Sequence, residues 1–161
     1  MADEKKYVAK RVLSDDLGGK LRQVWDFSVQ GGAVGTIPLD VLLPANAVVT
    51  GGYIHVIEAV TTSASGTLSF GLNTNVDLLA ATAAGSLTAN TILPLIPSTT
   101  AALDGNAQAA GVANARPVRL TAERELKAAV ATGALTGGKV AIYLEWMGPF
   151  DDVEPVTYRK S

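Results

Sequence analysis

Gly133-Ala134-Leu135-Thr136-Gly137-Gly138-Lys139-Val140-Ala141-Ile142-Tyr143-Leu144-Glu145-Trp146 is the stretch that decides the fold class. Val140, Ile142, Leu144 and Trp146 occupy alternate positions, with Ala141, Tyr143 and Glu145 between them. A period of two belongs to a strand with one buried face. The run before it, Glu125 to Thr132, alternates as well and turns Leu126, Ala128 and Val130 inward. Gly133 to Gly138 then reads as the loop of a hairpin that joins the two strands.

The same signal recurs toward the N-terminus. Leu21, Gln23, Trp25, Phe27 and Val29 share one face, opposite Arg22, Val24, Asp26 and Ser28. A Gly-rich turn follows from Gln30 to Gly35, and Thr36 to Leu43 is a second extended segment. Pro38 has no N–H to give a ladder, which favours an edge strand or a bulge there. Val48 to Val60 is a longer strand with a bulge expected at Gly51-Gly52. Tyr53, His55, Ile57 and Ala59 lie on one of its faces; Ile54, Val56, Glu58 and Val60 lie on the other. The second face is more apolar, but Glu58 leaves the choice of inner face open. Gly66 to Leu72 is a short strand with Leu68 and Phe70 on one side. Val76 to Ala84 is expected to be a short helix, capped by Asn73 or Asn75, with Asp77 in its first turn.

From Ala80 to Ala115 the chain is alanine-rich, yet Leu87, Ile92, Leu93, Leu95 and Ile96 interrupt it. It reads as a long excursion with one or two short strands, and order resumes at Arg116 to Leu120. Seven or eight short strands separated by glycine turns predict an all-β protein, an antiparallel β-sandwich or jelly roll. Residues 1–19 read as an extended N-terminal docking arm, 20–147 as the sandwich domain and 148–161 as a short C-terminal tail. Lys5, Lys6, Lys10 and Arg11 alternate in the arm with Tyr7, Val8, Val12 and Leu13 before Gly18-Gly19 makes a joint.

Charge is distributed unevenly. Between Asn46 and Ala115 there is no Lys or Arg, and the only acids are Glu58, Asp77 and Asp104. A free-standing domain normally spreads both signs over its surface. A long weakly charged span therefore points to a surface covered by something else, most simply by further copies of the chain. That reading favours an assembly subunit over a solitary catalyst. The formal charge of −2 gives no reason to expect nucleic acid or a membrane surface as partner. Without cysteine there are no disulfides. The charged start, Met1 to Lys6, lacks the apolar stretch of a secretory signal. No apolar run approaches the roughly 20 residues of a membrane span. The product is expected to be made and kept in a cytoplasm, unless it leaves as part of a particle.

The chemistry-bearing patterns are each better read as structure. Gly133, Gly138 and Lys139 have the spacing of a phosphate-binding loop, but Val140 stands where Ser or Thr would hold magnesium, and a strand follows instead of a helix. Asn73, Asn75 and Asp77 alternate like calcium-loop ligands, yet Leu78 replaces the bend glycine and Ala84 the closing glutamate. Asp151, Asp152 and Glu154 read as a solvated acidic run. His55 is the only histidine, which is too few for a zinc site, and no nucleophile elbow accompanies it. Glu123 and Glu125 simply share a strand face. No catalytic residue, metal site or cofactor is assigned. Trp25, Trp146 and Phe150 read as core or interface fillers, with a sugar platform as the alternative.

The run Ile37-Pro38-Leu39-Asp40 to Leu43-Pro44-Ala45-Asn46-Ala47-Val48-Val49 resembles small head-decoration, or capsid-stabilising (cement), proteins of tailed bacteriophages. Tyr53 to Val60, Ser65 to Gly71 and the closing Leu126 to Trp146 share the likeness, which covers about residues 36 to 147. The resemblance implies a β-sandwich or jelly-roll subunit, often trimeric, bound at junctions between major capsid proteins on the surface of the virion. It carries no catalytic residues and does not reach the arm or the tail. Tyr7, Val8, Val12 and Leu13 are the candidate capsid-docking residues on the pattern of the arm itself. The other functions weighed are a phage fibre, spike or carbohydrate-recognition domain, with Trp25 or Tyr53 as the aromatic platform, and last a cupin-like enzyme.

Overall fold

A computed structural model of the protein describes residues 19–72, 77–95 and 117–148. Among the described residues nine strands form two antiparallel sheets: β1 (Gly19–Asp26), β2 (Gly35–Leu43), β3 (Val48–Thr62), β4 (Thr67–Gly71), β5 (Leu79–Ala83), β6 (Ile92–Leu95), β7 (Val118–Arg119), β8 (Arg124–Ala131) and β9 (Leu135–Met147). One sheet runs β1-β9-β3-β6, with β7 also on β3; the other runs β2-β8-β4-β5. The chain is a β-sandwich, as the alternating pattern predicts.

The core lies between the sheets. Trp25, Ile54, Val56, Val140, Ile142 and Leu144 come from the first sheet, and Leu39, Leu43, Leu68, Phe70, Leu126 and Ala128 from the second, each essentially without exposure. The inner face of β3 is the more apolar one, Ile54, Val56 and Val60. Glu58 escapes because the register against β9 shifts on both sides of it, which rotates its side chain to solvent.

Two bulges sit where the sequence places them. The register of β2 shifts between Pro38 and Val41, and β2 is an edge strand. Asp40 takes a positive φ of 56° inside this bulge, and the Gln23 side-chain amide donates to Leu39 O at 2.6 Å. That bond ties the bulge of one sheet to the edge strand of the other. In β3 the register shifts between Val49 and Gly51. Gly52 has φ 148°, and a Cβ there would collide with the Tyr143 carbonyl.

Three local expectations are corrected. The alternation from Leu21 does not run on to Val29. Asp26 accepts hydrogen bonds from Ser28 N at 2.9 Å and Ser28 Oγ at 2.6 Å, which caps a single helical turn, α1 (Phe27–Gln30). The cap bends the chain out of the sheet and leaves Val29 77% exposed. The helix expected over residues 76–84 is instead β5 followed by a 3-10 turn at Ala84–Ser86. Asp77, buried, accepts from Leu72 N at 2.7 Å, and β5 then pairs with β4. Helix preference of Ala and Leu is a few tenths of a kcal/mol per residue, and a ladder with tertiary packing overrides it.

The hairpin of Glu125 to Trp146 does not form either. β8 and β9 belong to opposite sheets, so the turn after Ala131 carries the chain across the sandwich. Leu135 to Gly138, expected as loop, are the first residues of β9 and pair with Thr61 and Thr62 of β3. Leu135 is buried, and its N–H donates to Gly32 O at 2.8 Å. Burying this one leucine in an otherwise glycine-rich run converts the loop into strand.

The two ends of the first sheet differ. Gly19 stands opposite Trp146, Val118 opposite Val49, Met147 opposite Val48 and Leu95 opposite Gly52. Residues 1–18, 96–116 and 149–161 therefore all join the sandwich at this one end.

Candidate functional site

The outward residues of the first sheet form ordered rows because cross-strand partners on one face are neighbours. The register of β1, β9, β3 and β6 sets Arg22, Tyr143, Tyr53 and Pro94 side by side. The next row is Val24, Ala141, His55 and Ile92. Tyr53 and Tyr143 stack with ring centroids 4.7 Å apart at 20°. Arg22 lies over the Tyr143 ring, 5.8 Å from its centroid, and its Nε donates to the Tyr143 hydroxyl at 3.1 Å. Each aromatic pair of this kind adds about 0.5–1.5 kcal/mol beyond its buried area.

This face is rimmed by ion pairs. On one side Lys20 Nζ lies 3.2 Å from Glu145 Oε1. On the other, Lys139 Nζ bridges Asp26 Oδ2 at 2.9 Å and Glu58 Oε1 at 3.3 Å. The Ser28 hydroxyl, and then Lys139, hold the Asp26 carboxyl below its ordinary value; Asp26 and Glu58 together push the Lys139 amine up. Tyr53 (41%), Ile57 (37%) and Ile92 (62%) are the large apolar side chains left open to solvent on β3 and β6. All three belong to the weakly charged span that begins at Asn46. An aromatic and aliphatic strip between charged borders has the anatomy of a protein-binding surface, apolar at the centre and polar at the rim.

The structure disperses the other sequence candidates. Tyr7, Val8, Val12, Leu13 and Phe150 lie outside the described residues. Trp25 and Trp146 are core residues, so Trp25 offers no sugar platform. His55 is half-buried in the middle of the strip. Lys139 sits in extended chain and bonds carboxylates, not a phosphate cradle. Among the described residues no three His, Cys, Asp or Glu side chains gather to hold a metal, and no helix is long and apolar enough to cross a membrane. The Arg22–Tyr143–Tyr53 row is absent from the sequence reading. Alternation assigns Tyr53 and Tyr143 to faces but cannot say that β3 and β9 are neighbours.

No protein-family model and no curated protein matches the chain. Solved structures do. A chain of the acidic stable capsid structure of Helicobacter pylori bacteriophage KHP30 superposes with a TM-score of 0.54 at 14% identity, covering 83% of this chain and 90% of that one. A chain of the Cyanophage Pam1 capsid asymmetric unit gives a TM-score of 0.55 at 16% identity, covering 81% and 86%. At these identities the likeness is one of fold: a similar fold, over more than four fifths of this chain and of each matched chain, occurs within two phage capsid structures.

Proposed function

We propose that this chain is a structural protein of a bacteriophage capsid, and that it decorates and stabilises the shell as an oligomer clamping adjacent major capsid proteins. The observation that carries the reading is a likeness of fold that extends over more than four fifths of this chain and of chains found in two phage capsid structures. The apolar strip of Tyr53, Tyr143 and Ile92 supports it, since a strip of that kind suits a subunit that works in contact with other proteins. In this reading the 46–115 span faces other copies in a trimer, and the arm, through Tyr7, Val8, Val12 and Leu13, grips the shell. Several linked grips raise the effective concentration of each, so that modest contacts hold firmly together. A protein that binds only the assembled lattice stabilises that lattice by mass action.

Purified heads provide the test. Deleting residues 2–18 leaves β1 whole and is expected to abolish occupancy of heads seen by electron microscopy, with the melting curve of the free protein unchanged. Undiminished occupancy would rule out docking by the arm. Heads that never take up the full chain would remove the capsid role altogether.

A further inference from the structure

Among the described residues β1 ends the first sheet and pairs only with β9. Backbone groups along a strand alternate sides, so those turned away from β9 line a free edge. Gln30 shows which groups these are. Its Nε2 donates to Val24 O at 3.3 Å, and its Oε1 accepts from Asp26 N at 2.6 Å. A single amide bonded to residues 24 and 26 takes the place of a peptide group in a parallel ladder opposite Trp25. The edge is closed at that end. By the same alternation Lys20 and Arg22 turn their N–H and C=O groups outward, and among the described residues these have no partner on that side. Both residues are exposed.

The other edges are blunted. β2 carries Pro38 and its bulge, β6 carries Pro94, and β5 has five residues. The edge of β1 has no proline and also carries an unbalanced charge. Lys20 is paired with Glu145, but Arg22 touches only Tyr143 and has no carboxylate partner among the described residues. An added strand bearing acids would complete both the ladder and the charge.

The sequence offers one such acidic segment just after β9. After Gly148, whose φ of 86° turns the chain off β9, comes Pro149-Phe150-Asp151-Asp152-Val153-Glu154-Pro155. In an extended chain Asp152 and Glu154 share a face. Pro155 has no N–H and ends any ladder. The five residues between the prolines are enough for an edge that is open only from Lys20 to Val24. Within one chain, this segment would have to pass over β1 itself, which lies between β9 and the free edge, with only Pro149 and Phe150 between Gly148 and Asp151 to span it. A second copy is free of that constraint.

We propose that residues 151–154 of one copy add as a short strand to the open β1 edge of a neighbouring copy, with Asp152 and Glu154 beside Lys20 and Arg22. A segment-on-edge contact that repeats head to tail builds a ring where the rotation between copies closes. The inference rests on the oligomeric part of the proposed function and is independent of the capsid part.

Full-length chains test it by charge exchange. Wild-type protein is expected to associate in sedimentation experiments, with the Lys20 and Arg22 amides protected from hydrogen exchange in the assembly and released on dilution. Arg22→Glu alone, or Asp152→Lys with Glu154→Lys, is expected to weaken association at least tenfold without lowering the melting temperature. Mixing these two variants is expected to restore it, because each then offers the other a matched segment and edge. The proposal is overturned by a wild type that stays monomeric, by variants that assemble like wild type, or by Lys20 and Arg22 amides that exchange freely in the assembly. Rescue in a chain carrying all three changes, without rescue in the mixture, would place the segment on its own chain and also overturn the contact. A monomeric wild type leaves docking by the arm standing, whereas undiminished head occupancy after deletion of residues 2–18 leaves this contact standing.

Discussion

Gly52 and Gly85 are both glycines in the span without basic residues, yet they tolerate change very differently. A methyl group on Gly52 meets the Tyr143 carbonyl, and its φ of 148° strains any L side chain. Gly85 has ordinary backbone and open space around it. Gly52→Ala is expected to cost about 3 kcal/mol, against less than about 0.5 kcal/mol for Gly85→Ala, in denaturant unfolding. Trp25 gives a second contrast. Its ring is fully buried, but its indole N–H has no acceptor among the described residues. Trp25→Ala should cost about 3–5 kcal/mol through the cavity it leaves. Trp25→Phe should cost clearly less, since the group it removes makes no hydrogen bond. Equal losses in the two variants would show that the N–H is bonded after all.

Among the elements, the turn α1 joins β1 to β2 and carries the groups whose titration matters. Asp26 is held below its ordinary pKa of 3.8 by Ser28 and Lys139. A depressed carboxyl stabilises the fold above its unfolded value, and that contribution is lost as pH falls through the folded value. Lys139 is raised above 10.5, so its contribution is complete below that pH and fades as alkali passes the folded value. Melting temperature should therefore be flat at neutrality and fall on both the acid and the alkaline side. Asp26→Asn should shrink the acid limb by removing its own share, and should weaken the alkaline limb by taking a partner from Lys139. A variant with both limbs unchanged would show that the bridge does not persist in solution. Gln30 lies in the same turn. Gln30→Ala should cost about 1 kcal/mol, because the two backbone groups it covers return to water without being left buried.

At the scale of the whole molecule, the sandwich is asymmetric. One end of its five-stranded sheet receives residues 1–18, 96–116 and 149–161, and one face carries the Tyr53–Tyr143 strip. If the strip meets a partner, Tyr53→Glu with Ile92→Glu should lower uptake by heads or association between copies by tenfold or more, while the fold loses only about 0.5–1.5 kcal/mol from the Tyr53–Tyr143 stack. Both side chains point to solvent, so their loss removes little core. Unchanged uptake and unchanged association together would show that the strip is ordinary surface.

Alternation in the sequence was enough to give most strands and the two bulges, but on β3 Glu58 left the choice of inner face open. Each follows from a local property: the pleat of β1, β3, β8 and β9, the missing N–H of Pro38, the backbone freedom of Gly51 and Gly52. Partner choice lay beyond it. Residues 125–146 look the same whether β8 and β9 pair or cross between sheets, because a side chain's face depends on local pleat and its neighbouring strand on distant chain. Packing decided that question by burying Leu135 and extending β9 along β3. The same long-range pairing brought Tyr53, Tyr143 and Arg22, separated by many residues in sequence, into one row on the outer face.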